Sequence, residues 1–281
     1  MKRVLSGRSK ALLAFIVVLV LAGLVILPSC TEKRYYLGFN LDGVNSIRYR
    51  IRLIVELENT TSGKWFNTTD EAYVEFRFTK DVGRSWKVNA ISSSADVAGP
   101  NATFHVDPYG NVFHAEFEAP KIECLDESGY GYSYGFGEFP PLPAKRMAIP
   151  SNWSATAHLN YTIKTPGLLT HVVRTEVYRV HAREILVVRS PMGNVTAALV
   201  NVNQSFVYVA DTFTNARTLE DARRHGRKWG SWERNGTCFS KLVVDLHTGI
   251  VLSGSTICTE TGSSTKSISE ITLVDVSLEP R

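Results

Sequence analysis

The stretch IRYRIRLIVELE, residues 47–58, alternates. Ile47, Tyr49, Ile51, Leu53, Val55 and Leu57 are apolar, while Arg48, Arg50, Arg52, Glu56 and Glu58 are polar, with Ile54 the exception. Successive side chains of a strand point to opposite faces, so a period of two predicts a strand with one dry and one wet face. The same pattern turns Ala72, Val74, Phe76 and Phe78 inward in AYVEFRFTK, and Ala157, Leu159, Tyr161 and Ile163 inward in ATAHLNYTI. Such strands suit an antiparallel sheet, which tolerates water on one side. The chain is predicted to be mainly β.

CFSKLVVDLHTGIVLSGSTIC carries two cysteines at equal distances from His247-Thr248-Gly249. Folding the segment about that triplet sets Leu246 against Ile250, Val244 against Leu252, Leu242 against Gly254, Ser240 against Thr256 and Cys238 against Cys258. A three-residue hairpin loop with glycine last supplies the left-handed backbone that such a turn needs. Directly opposed residues lie within disulfide reach, so a Cys238–Cys258 bond and an oxidising compartment are predicted. FHVDPYGNVFHAEF repeats the theme, with Val-Asp-x-x-Gly-x-Val around Pro108 and Gly110.

The N-terminus gives the compartment independently. Lys2, Arg3, Arg8 and Lys10 precede the uncharged run ALLAFIVVLVLAGLVIL, residues 11–27. Basic residues before an apolar run predict an N-in, C-out orientation. LPSC follows, with Ser29 before Cys30, like the end of a lipobox. Cleavage, retention as an anchor and lipidation of Cys30 all remain open. Each leaves residues 1–30 as leader and residues 31–281 as one domain outside the cytoplasmic membrane, single-pass, lipid-anchored or secreted. Asn-x-Ser/Thr occurs at Asn59, Asn67, Asn101, Asn152, Asn160, Asn194, Asn203 and Asn235. With 14 Asn and 47 Ser or Thr in 281 residues, chance predicts about two such triplets. The excess reads as an N-glycosylated ectodomain, eukaryotic or archaeal, and the short basic leader leans towards an archaeal envelope.

ESGYGYSYGFGEFPPLP, residues 127–143, reads as an extended loop that covers an open end of the sheet, stacks on sugars or joins subunits. Cys124 precedes it, and Cys30–Cys124 is a pairing if Cys30 stays unmodified. Thr218 caps a predicted helix over LEDARRHGRKW, with acids first and bases last. SISEITLVDVSLE reads as a final strand.

Chemistry is sparse. His105 and His114 would face one another if Val106 opposed Phe113, but two imidazoles fall short of a metal site, and no metal or other cofactor is expected. Arg223, Arg224, Arg227 and Lys228, with His225 among them and Trp229 and Trp232 beside them, offer contact with lipid headgroups or an acidic glycan, or form a solvated helix end. SSTK, Ser263–Lys266, lies in a loop before a strand and lacks the helix start that a nucleophile of that pattern needs. No recognised catalytic or phosphate-binding fingerprint occurs. A net charge of +4 does not indicate a nucleic-acid partner.

Three segments carry a resemblance: FPPLPAKRMAIPSNWSA as a Leu-Pro passage into a strand, REILVVRSPMGNVTAALVNV as paired strands around Gly193, and SKLVVDLHTGIVLSG as the hairpin. Together they resemble the lipoprotein-carrier type of fold of periplasmic lipoprotein chaperones and related surface lipoproteins. The resemblance implies a single large curved antiparallel sheet, half-barrel-like, wrapped around a helix, with one or two short helices in all, and a concave apolar face able to hold an acyl chain. With the leader as an N-terminal membrane helix, the expected protein is non-catalytic and binds a hydrophobic ligand such as a lipid, or an envelope protein. A structural subunit of a surface layer or filament and an extracytoplasmic hydrolase are the alternatives.

Overall fold

The computed structural model describes residues 33–59, 64–81, 83–94, 97, 101–117, 121–124, 140–165, 167–261 and 265–278. The chain divides into two units, Met1–Lys33 and Arg34–Arg281. The leader and Cys30 lie outside the described residues, and no described helix is long and apolar enough to cross a membrane.

The second unit is mainly β, as the alternation predicts. Its strands are β1 (Arg34–Leu37), β2 (Val44–Asn59), β3 (Lys64–Lys80), β4 (Trp86–Ser92), β5 (Ala102–Val106), β6 (Val112–Phe117), β7 (Lys121–Cys124), β8 (Lys145–Ala148), β9 (Ser151–Thr165), β10 (Leu168–Ser190), β11 (Gly193–Thr214), β12 (Arg227–Asp245), β13 (Val251–Glu260) and β14 (Thr265–Leu278). The helix α1 spans Leu219–His225. One curved antiparallel sheet runs from β10 through β11, β12, β13, β14, β2, β3, β4, β5 and β6. The four-residue β7 bridges β6 to β9, and β9 pairs with β10, so the ladder returns on itself. β1 and β8 form a separate two-stranded ribbon.

Inward and outward faces follow the period of two. Ile47, Tyr49, Ile51, Ala72, Val74, Phe76 and Phe78 are all buried. Tyr49, Phe76 and Phe104 form an edge-to-face series across the core, with centroids 6.0 and 6.3 Å apart. Ile54, the apolar residue on the wet face of β2, lies in register with Ile268, and Ile268 with Ile257 and Ile257 with Phe239. The exception thus belongs to a short apolar row on the convex surface.

One end of the barrel is closed by the first residues of the second unit. Leu37, Phe39 and Leu41 are each 1% exposed. The two hairpins that echo one another in sequence both grip this segment: the Phe39 amide donates to the Pro108 carbonyl (2.8 Å) and the Asn40 amide to the Thr248 carbonyl (2.9 Å). Each turn is organised by its aspartate. Asp107 Oδ1 accepts from the amides of Tyr109 and Asn111, and Asp245 Oδ2 accepts from the amide and hydroxyl of Thr248. Gly110 and Gly249 have φ of +83° and +77°. A Cβ at Gly110 would lie 2.8 Å from the Phe39 ring, and one at Gly249 would lie 2.6 Å from the Gly38 carbonyl oxygen. Glycine is required twice over at each, for the left-handed backbone and for the close approach.

Three local expectations are corrected. The Cys238–Cys258 bond is present, with Cα atoms 4.1 Å apart, and the pairings Leu242–Gly254 and Ser240–Thr256 hold. Nearer the turn a register shift sets Val244 against Val251, and the Asp245 amide bonds to the Ile250 carbonyl. The loop is longer than three residues because it must reach Asn40. The bond joins residues 20 apart, a closure that stabilises by about 3 kcal/mol. Secondly, α1 starts where expected, with the Thr218 hydroxyl accepting from the Asp221 amide, but it stops at His225. Gly226 takes an extended backbone, and Arg227 to Trp229 begin β12. Thirdly, α1 packs against β10 and does not fill the barrel; core side chains and the Leu37–Leu41 segment do.

Candidate functional site

Among the described residues, β9 pairs with β7 only over residues 161–164, while its first ten residues pair only with β10. A cleft of about 770 Å³ opens beside this bare edge. Both faces of β9 line it, from Trp153 to His158, together with the β5–β6 turn, Pro141–Pro143 and Tyr178. Its size lies within the range of about 300–1,000 Å³ usual for small-molecule sites. The Leu-Pro passage shapes one wall: the Leu142 amide bonds to the Tyr109 carbonyl, and Trp153 Nε1 donates to the Pro141 carbonyl. Rings and small apolar side chains dominate the interior side, where Trp153, Leu142, Ala155 and Ala157 meet Tyr178.

Behind Tyr178 lies a polar cluster that the alternation did not reveal. Glu176 is 1% exposed, on the inward face of β10. Its Oε2 accepts from the Tyr178 hydroxyl, and its Oε1 pairs with Arg174 Nη2 at 2.5 Å. Gln204 Nε2 donates to the Tyr178 oxygen at 3.3 Å, and the Arg174 guanidinium stands 5.4 Å above the Phe206 ring. Burial, and the Glu176 carboxyl beside it, push the Tyr178 phenol well above its ordinary value. The sequence signal was a pair of charged residues, Arg174 and Glu176, at inward positions between Val172 and Val180. A hydrolase would need a buried acid or histidine pair in a deep cleft. Glu176 is a buried acid, yet Arg174 and Tyr178 occupy both of its oxygens, which suits it to holding the wall.

The expected apolar concave face is therefore corrected. Towards the turn end, the apolar interior is filled by the protein's own side chains. Towards α1, the inward face carries Arg174, Glu176, Gln204, Ser240, Thr256 and Ser269 among its residues.

The sequence-predicted residues are scattered over the surface. Asn67, Asn152, Asn194, Asn203 and Asn235 are exposed, and Asn101 and Asn160 are half-buried. His171 Nε2 lies 2.7 Å from Asn160 Oδ1, and Asn101 Oδ1 accepts from the Ser92 amide. In both, the oxygen is engaged rather than the nitrogen that would carry a glycan. The side chain of Asn59 lies outside the described residues, as do those of His114 and Cys124. His105 does not face His114, because Val106 opposes Val112 and His105 opposes Phe113; its Nδ1 pairs with Asp81 at 2.7 Å. Among the described residues no group of three or more potential metal ligands gathers. Of the basic cluster, Arg224 pairs with Glu220, and Lys228 with Asp211 at 2.7 Å, while Arg223 and Arg227 are exposed. Lys228 and the Ser231 hydroxyl hold the Asp211 carboxyl below its usual value, and burial, then Arg223, lowers His171. Ser263 is not among the described residues, and Lys266 pairs with Glu56 across β14 and β2.

No protein-family model matches the chain, and neither does any curated protein. Its likeness is to solved lipoproteins and an exported protein. The hypothetical lipoprotein YmcC of Escherichia coli (K12) is 11% identical over 82% of this chain and 87% of that one, with a TM-score of 0.33. An exported protein with a YmcC-like fold from Bacteroides fragilis NCTC 9343 is 10% identical over 87% of this chain and all (100%) of that one, at 0.27. A lipoprotein from Parabacteroides distasonis ATCC 8503 is 7% identical over 88% of this chain and 100% of that one, at 0.26. All three likenesses are distant.

Proposed function

We propose that the chain is a membrane-anchored, N-glycosylated binding protein of the cell surface, non-catalytic, whose cleft beside β9 takes an apolar ligand. The cleft carries this reading: it is preformed, lined on its interior side by Trp153, Leu142, Ala155 and Ala157, and backed by a rigid hydrogen-bonded wall. The apolar leader, the excess of sequons and the disulfide support the outer location. The exposed Arg223 and Arg227 are a secondary contact for lipid headgroups or acidic glycans.

A fluorescent C18 fatty acid titrated into the delipidated full-length protein is the test. Saturable binding is expected, weakened at least tenfold by Ala155→Trp, which fills the cleft from a half-buried position without breaking the core. No binding, or equal binding by the variant, would remove the ligand reading and leave an envelope partner. The location is tested separately by intact mass of the native protein. Mass added at several of the eight asparagines is expected, together with a deficit of two hydrogens for the disulfide. Unmodified asparagines would overturn the glycoprotein reading.

A further inference from the structure

The concave wall near α1 carries a second constellation, which meets the cleft lining along the row Ala157–Glu176–Phe206. In the ladder, Arg174 pairs with Tyr208, and Tyr208 with Arg234, so three inward side chains form one row across β10, β11 and β12. The row on one side holds Phe206, opposite Glu176, and the row on the other holds Trp232, opposite Ala210. Each guanidinium lies over a ring: Arg174 over Phe206 at 5.4 Å, and Arg234 over Trp232 at 5.0 Å. Tyr208 meets Trp232 edge to face at 5.2 Å. Each guanidinium also has a carboxylate, Glu176 for Arg174 at 2.5 Å and Glu260 for Arg234 at 3.5 Å.

This combination selects a class of ligand. The two arginines are balanced by two glutamates, so the patch has no net charge to draw a polyanion. An acyl chain laid across it would desolvate both ion pairs without replacing their water contacts. Trp232 is nevertheless 40% exposed, and it stands with Tyr208 and Phe206 on the inward face of the sheet. The ring faces that the two guanidiniums leave uncovered accept the C–H face of a sugar, while guanidinium forks and carboxylates bond to neighbouring hydroxyls. We propose that Arg174, Phe206, Tyr208, Trp232, Arg234 and Glu260 form a saccharide-binding site. The two sites share the Arg174–Glu176 pair, so the test acts on Trp232 and Arg234, which do not line the cleft.

The experiment presents an array of neutral and uronate-containing oligosaccharides to the full-length protein in a zwitterionic detergent without a sugar headgroup. Saturable retention of a subset is expected. Trp232→Ala and Arg234→Met should each weaken it at least tenfold. Val207→Ser should bind like the parent, because Val207 sits between Phe206 and Tyr208 in sequence but faces the convex side. The neutral and uronate arms show whether the arginines read hydroxyls alone or a carboxylate as well. Failure to retain any saccharide, full retention by Trp232→Ala, or equal loss in Val207→Ser would overturn the proposal. So would a protein partner bound through Trp232 with no saccharide bound.

Discussion

Phe39→Ala is expected to destabilise the barrel by about 3–5 kcal/mol, the usual cost of truncating a buried phenylalanine. The ring is 1% exposed and lies against Gly110, in a segment that both aspartate turns hold by main-chain hydrogen bonds. Losing it opens a cavity where the two hairpins converge, and neither turn can collapse inward without breaking the bond that its carbonyl accepts. Chemical denaturation of the purified protein measures the loss. Phe66, 57% exposed, is the comparison, and Phe66→Ala should stay within about 0.5 kcal/mol of the parent. A cost below about 1 kcal/mol for Phe39→Ala would show that the Leu37–Leu41 segment does not close that end.

Arg174→Met should cost about 3 kcal/mol, because it strands the Glu176 carboxylate in the wall with one partner fewer. The low end of the range applies, since the Arg174 side chain keeps 28% of its exposure and so part of its hydration. Replacing both residues, Arg174→Met with Glu176→Leu, should recover most of the loss, because no charge is then left buried alone. A double-mutant cycle by denaturant titration reads the coupling. If the double variant is as unstable as Arg174→Met, the cost lies in lost packing over Phe206 and not in the ion pair.

Several features were legible because they are local. Residues 47–58 show their inward and outward faces by alternation, and Thr218 shows its cap by spacing from Asp221. Cys238 and Cys258 could be paired from symmetry about a turn. Their register survived a miscount of the loop because the shift lies between them and the turn, at Val243 and Val244. Where the reading failed, a distant contact had intervened. The β12–β13 loop is longer than three residues because Thr248 reaches across to Asn40. His105 turns away from His114 because β5 carries an irregularity between Thr103 and His105. Arg227 to Trp229 joined a strand although they suit a helix end, because β11 offers them partners at Phe213 and Thr214.

Taken alone, the order of residues determined the strand faces and the staple between two of them. Each is a property of neighbours in the chain or of one hairpin, and a period of two is enough to specify it. Tertiary structure alone decided that the first strand's continuation closes the barrel, that among the described residues the first part of β9 pairs only with β10 beside a cleft, and that two arginines and three aromatic rings share one patch of wall. Those arrangements join residues tens to hundreds of positions apart. They depend on sheet register and on which surfaces compete for burial, and no local pattern records either.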